Sequence, residues 1–162
     1  MDANTELRKQ LVLQLTGEQA HLSFEDAVAE FPATQINARP RNVVYTYWHL
    51  IEHLRITQRD LLDYITKADY QEGTWPDDYW PARDTQTDAA GWQASVDAFI
   101  ADRNALIAIT QDPNTDLTGG VPTHADHSIV RCLLIVGNHN SYHIGELAVL
   151  RQIDNIWGPS HT

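Results

Sequence analysis

The sequence predicts an all-α fold, a four-helix bundle with loops long enough to permit crossover connections. Three observations lead there. Apolar residues recur at spacings of three and four, the pattern of helices that bury one face, and no stretch shows convincing strand character. Four such stretches are long enough to be principal helices, and two of the segments between them exceed the few residues that join neighbours in a simple up-and-down bundle. With 162 residues, 43% of them hydrophobic, the chain has the size to bury one core, so residues 1–162 are expected to form a single domain.

The first helix is expected from about Thr5 to Thr16, in "TELRKQLVLQLT". "SFEDAVAEF" then reads as a short second piece, with Ser23 as its cap and Asp26 at the capping-box position. "ARPRN", residues 38–42, breaks the chain. The next helix, Val43 to Thr66, contains "YWHLIEHLRITQRDLLDYI", and another spans Asp88 to Thr110. Gly119, Gly120 and Pro122 punctuate the approach to the last, Asp126 to Ile153. The two long loops are Lys67 to Thr87 and Gln111 to Ala125. The first contains "YQEGTWPDDYWP", with Tyr70, Trp75, Tyr79 and Trp80 around two prolines. A disordered linker rarely holds so many aromatics. This loop is expected either to fold down as a cap on the bundle or to face substrate as a lid.

Charge narrows the partners. A formal net charge of −11, with a pI near 4.9 and no cluster of Lys and Arg, argues against nucleic acid and against an anionic membrane surface. The only cysteine, Cys132, sits in an apolar stretch as a packed thiol, so no intrachain disulfide can form and a reducing compartment fits. "MDANTELRKQ" has no apolar h-region and no run of about 18 apolar residues follows, which leads to the expectation of a soluble cytoplasmic protein.

The chemistry concentrates in "GNHNSYHIGE", residues 137–146. At about 100° per residue, His143 lies about 40° from His139 and Glu146 about 20° to the other side, so the three share one stripe of the helix. Cys132, Ile135, Val136, Leu147 and Leu150 project within about 80° of that direction, which marks it as core-facing, with Asn140, Ser141 and Tyr142 turned progressively away. Buried imidazoles must pair their nitrogens. A divalent metal does this for two histidines at i and i+4; so do other polar groups, and the spacing alone does not decide. "YWHLIEHLRITQRD" adds His49 and His53 at the same spacing, with Thr57 and Asp60 on the face of His53. Glu52, Arg55 and Arg59 lie on a different face, spaced for local ion pairs. A zincin protease needs glutamate directly after the first histidine, where Asn140 stands. Di-iron bundles use Glu-x-x-His, the reverse of His143-x-x-Glu146 and His49-x-x-Glu52. A single-metal site fits better. His124, His127 and His161 read as surface residues.

"WHLIEHLRITQRDLLDYI", "WPDDYWP" and "NHNSYHIGELAVLRQ", in that order, resemble the DinB family of four-helix-bundle proteins, in the branch with Leu-x-Glu-His-x-Arg and His-Asn-x-Tyr-His-x-Gly-Glu/Gln motifs, over Ala20 to Ile153. The resemblance implies a divalent transition metal, nickel or zinc, held by His53, His139 and His143. His49 falls at the family's variable position one turn earlier, and Glu146 stands where the family often has glutamine. Characterised relatives of this kind include transferases and isomerases that use a low-molecular-weight thiol.

The resemblance and the histidine pattern together lead to an expected metal-dependent enzyme on a small-molecule substrate, with thiol transfer first and metal-assisted hydrolysis second. Glu146 or Asp60 would orient a ligand histidine or move a proton, and Tyr142 with the "WPDDYWP" loop would border the pocket. The competing reading is a non-catalytic metal-binding or stress-response protein. A homodimer is expected from the aromatic surplus and the family's tendency.

Overall fold

Helices begin in this chain wherever a short polar side chain can accept the backbone N–H groups that a first turn leaves unpaired. The computed structural model describes residues 2–17 and 19–158, so that the tail residue His161 lies outside it. Asp2 caps α1 (Ala3–Thr16), Ser23 caps α2 (Phe24–Val28), Thr46 caps α3 (Tyr47–Thr66), Asp88 caps α4 (Ala89–Gln111) and Ser128 caps α5 (Ile129–Ile153). These caps set the starts: α1 begins two residues before the expected Thr5, α3 four after Val43 and α5 three after Asp126. Gly17, at φ 77°, closes α1 in the left-handed conformation that costs glycine least.

The connection from α4 to α5 holds a ribbon where the sequence predicts only loop and helix. β1 (Gly120–Val121) pairs antiparallel with β2 (His124–Ser128). Strands of two and five residues are too short for alternation to register. Gly120 is needed there, since a Cβ on it would stand 2.3 Å from the Ala125 carbonyl oxygen.

The helices form a bundle in which α3 packs on α4 and α5, and α1 packs on the same two. The pairs α1/α3 and α4/α5 are therefore diagonal, and the chain crosses over twice, once through α2 and once through the ribbon. The long aromatic loop between α3 and α4 joins neighbours. Its length serves something other than a crossover.

Two apolar clusters fill the interior. One joins Tyr47, Leu50, Ile51 and Leu54 of α3 to Phe99 of α4 and to Ile144, Leu147 and Leu150 of α5. The other joins Leu11 and Leu15 of α1 to Leu62 and Ile65 of α3 and to Cys132, Leu133 and Val136 of α5. Polar residues separate them. Gln58 donates from Nε2 to the Phe99 carbonyl (2.7 Å) and accepts from Asn140 Nδ2 (2.9 Å).

Two residues of α5 depart from expectation. Ile135 is exposed and Asn140 is buried. Because α1 and α3 both pack on α5, its inward direction runs through Val136, Asn140 and Leu147, about 90° round from His139. The histidine stripe is the edge of the buried arc, next to solvent. Among the described residues no helix is long and apolar enough to cross a membrane.

Candidate metal centre

His53 of α3 and His139 and His143 of α5 each bring one ring nitrogen to a common point, all within 4.8 Å of one another. Among the described residues no fourth His, Cys, Asp or Glu belongs to that group.

The outer nitrogens are fixed. His53 Nδ1 donates to the Tyr79 carbonyl at 2.8 Å, with the Thr57 hydroxyl 3.5 Å from the same atom. His143 Nδ1 donates to Glu146 Oε2 at 2.7 Å. Both rings therefore present Nε2 as a lone pair, the arrangement that second-shell acceptors impose on metal-ligating histidines. His139 Nε2 stands 3.1 Å from His53 Nε2. Two nitrogens each 2.0–2.1 Å from one ion sit about 2.9–3.4 Å apart, so this pair fits a shared cation.

The tautomer of His139 sharpens the point. With a proton on its Nε2 the pair is hydrogen-bonded, but His139 Nδ1 becomes a buried lone pair with no donor among the described residues. With the proton on Nδ1, two lone pairs face each other, an arrangement that a cation between them would satisfy. In either tautomer His139 Nδ1 is buried with no hydrogen-bond partner among the described residues.

The matching family is now decisive, because its match covers residues 17–147, a stretch that contains all three histidines, Glu146 and the aromatic loop. The chain belongs to the DinB superfamily. No curated protein and no solved structure matches it.

In this DinB protein, burial holds His139 at a pKa of about 3, helped by His143 and His53, and holds His53 at about 4 against the Tyr79 carbonyl. Both rings stay neutral at physiological pH, as metal ligands must be. Burial alone would raise the Glu146 carboxyl, but hydrogen bonds from His143 and Tyr45 outweigh it and hold the group ionised below its ordinary value. Burial and the Glu146 contact push the Tyr45 hydroxyl upward, so it keeps its proton as the donor.

The aromatic loop folds down as a cap. Trp80 stacks on His53 with ring centroids 3.8 Å apart and 6° between planes, and Tyr79 supplies the carbonyl that orients it. Trp75 meets His53 edge-on. Asp60 is not brought to the cluster: it accepts from the Tyr70 and Tyr79 hydroxyls, at 2.8 and 3.3 Å, and burial raises its pKa against them. Nor is His49, whose Nε2 donates to the Thr85 carbonyl at 2.8 Å. Glu52 pairs with Arg55, and Arg59 with Asp63 and Asp102, as the spacing predicts for the local pairs. Cys132 is fully buried in the second apolar cluster, away from the histidines. His124 is exposed, while His127 bonds the Tyr64 hydroxyl at 2.6 Å.

Tyr45 is the residue sequence reasoning missed. It lies in the irregular segment before the Thr46 cap, where no periodicity marks it, yet its hydroxyl reaches Glu146 across 101 positions. Its ring and that of Trp80, 5.1 Å apart, also line a cavity of about 750 Å³ with Val44, His49, Pro76 and Arg83.

Proposed function

We propose that this protein is a metal-dependent enzyme that acts on a small molecule, and that His53, His139 and His143 hold a divalent nickel or zinc ion. The observation that carries this reading is the donor set: three clustered imidazoles, two of them with Nδ1 engaged by an acceptor so that Nε2 is left as the free donor. Bound there, the metal would keep its full charge and act as a Lewis acid that acidifies a thiol or a water molecule.

The chain's own groups have separable roles. Glu146 accepts the His143 Nδ1 proton and so orients that ring; as an ionised carboxylate it is also the nearest base to receive a proton released at the site. Tyr45 donates to Glu146 and forms part of the cavity wall, which links the cluster to the space where a substrate would lie. Asp60 acts at one remove, as a positioning residue, through Tyr79. Thiol transfer is the reaction class we favour, with metal-assisted hydrolysis second. A purely structural metal would be expected to have a closed shell of four protein ligands. Three ligands leave a position open, which supports an enzyme over storage or stapling.

The test is a screen of low-molecular-weight thiols and electrophiles with metal-loaded protein, alongside thiol-to-metal charge-transfer absorption of the nickel form. Thiol-dependent turnover that is lost in His139→Ala is expected. Absence of both turnover and thiol-induced absorption in fully loaded protein would overturn thiol transfer.

A further inference from the structure

We infer, on the enzymatic reading above, that the cavity beside the metal centre takes a carboxylate-bearing molecule with an apolar body, and that Arg83 selects the carboxylate. The segment between α3 and α4 joins neighbouring helices, so its length has another use. Tyr79 and Trp80 serve His53. The residues flanking them, Pro76, Pro81 and Arg83 among others, wall the cavity of about 750 Å³, a size that holds a small organic molecule. Its lining is chiefly apolar, and Val44 at its edge is 71% exposed. In a chain of net charge −11, an apolar hollow of this size is a place from which water is readily displaced.

Few polar side chains face this space, and two of them are engaged. Tyr45 donates its hydroxyl to Glu146, and His49 Nε2 donates to the Thr85 carbonyl at 2.8 Å. Arg83 is different. Its backbone carbonyl accepts from Arg39 Nη2 at 2.8 Å, but its guanidinium has no hydrogen bond or ion pair among the described residues. Carboxylates are near in sequence and are turned elsewhere: Asp78 accepts from the Thr74 N–H at 2.7 Å, and Asp84 pairs with Arg39 at 3.7 Å. With 22 acidic residues against 11 Lys and Arg, a guanidinium at a cavity wall without a carboxylate marks a place for one from outside. Asp77 faces the same cavity, with no ion pair to Arg83 among the described residues. Arg83 alone of these two also lines an adjoining polar cavity of about 300 Å³, together with Arg39. The anionic end therefore belongs at Arg83, where apolar space gives way to polar space and a second guanidinium.

Two side chains touch both the cavity and the metal centre. Trp80 lines the cavity and stacks on His53, and Tyr45 lines it and bonds Glu146. An apolar body seated in the cavity lies against both rings. The planar fork of a guanidinium matches a carboxylate with two parallel hydrogen bonds. A carboxylate is itself a ligand for zinc, so one anchored at Arg83 is kept from the open coordination position, which stays available to the thiol. Arg83 is in this way a specificity-determining residue for the acceptor and takes no part in the bond-making step.

Binding of unreactive probes tests this without turnover. Phenylpropionate, its uncharged amide and phenylpropylamine are titrated into the full chain, both metal-loaded and chelator-treated, and followed by protein NMR at the Trp80 indole and Arg83 amide signals. The acid is expected to bind about tenfold more tightly than the amide, with or without metal. Arg83→Ala should abolish that preference, and Arg83→Lys should restore part of it, because the charge returns without the fork. Arg83 is exposed and Arg39 holds only its backbone carbonyl, so both variants should keep the wild-type fold. Equal affinity for acid and amide, or a preference that survives Arg83→Ala, would overturn the inference. Preference for the amine would give selection to Asp77 and overturn it as well. Binding of the acid only to metal-loaded protein would place the carboxylate on the ion, against the role given to Arg83. Failure of the enzymatic reading shows separately, as absence of thiol-dependent turnover in protein that still binds the acid through Arg83.

Discussion

His49 and His53 of α3 and His139 and His143 of α5 have the same four-residue spacing, yet α5 delivers both rings to the cluster and α3 only one. The difference is which nitrogen each ring commits elsewhere. The aromatic loop takes both α3 histidines through backbone carbonyls at 2.8 Å, but Thr85 engages His49 at Nε2 whereas Tyr79 engages His53 at Nδ1. Only the latter leaves Nε2 free for the cluster. On α5, Glu146 engages His143 at Nδ1 in the same way. A histidine pair thus becomes a candidate ligand pair through its second-shell acceptors, and spacing alone does not decide it.

The largest expected effect breaks the α5 pair and the one α3 ligand alike. His53→Ala, His139→Ala and His143→Ala should each lose stoichiometric metal, measured by elemental analysis after dialysis, while helical content persists because the apolar clusters on either side remain. Retention of a full equivalent in both α5 variants would dismiss the three-histidine assignment. Next in size is the acceptor. Glu146→Ala should weaken metal affinity by about 10- to 100-fold, the usual cost of removing a second-shell partner. Glu146→Gln should cost less, since the amide oxygen can still accept from His143 Nδ1. Equal losses in the two variants would show that the charge, and not the hydrogen bond, is what matters.

The pH response of chelator-treated protein distinguishes the buried rings from ordinary ones. Unfolded histidines titrate near pH 6.5, whereas folded His53 and His139 do so at about 4 and 3. Below pH 6.5 the unfolded chain therefore takes up protons that the folded chain refuses, and stability falls as pH falls. The contribution is intact above pH 6.5 and drains away down to about pH 3. The denaturation midpoint should drop across that window, and His139→Gln should flatten the slope; an unchanged slope would mean that the ring is not held neutral. Those low values also shift metal release below the pH 6 at which unperturbed histidines would begin to compete. The smallest effect is His49→Ala, which should keep its metal and lose about 1–3 kcal/mol of stability, the range for removing one buried hydrogen-bonding group. Loss of metal there would mean that the wrong turn of α3 has been assigned.

Much of this was legible in the sequence, for reasons that differ between regions. The α5 and α3 histidines stood out because helical periodicity fixes a face, and the aromatic loop stood out by composition. The periodicity of α5 showed which residues share a face but not which way that face points, because direction depends on which helices pack on it. Hence Ile135 and Asn140 exchanged places. The ribbon at Gly120–Ser128 is too short to carry a pattern, and the diagonal placement of α1 and α3 is a tertiary choice among packings that the loops all allow. Tyr45 depends on a contact 101 residues away and has no local sign.

The central claim is that these three imidazoles share one metal ion, and the most direct test is metal analysis of protein purified without an affinity tag, followed by titration of the chelator-treated protein with nickel and zinc. About one equivalent per chain is predicted, with His53 and His139 releasing no protons on uptake at pH 7 because burial already holds them neutral. Less than about a tenth of an equivalent as purified, with none taken up on titration, would contradict the account.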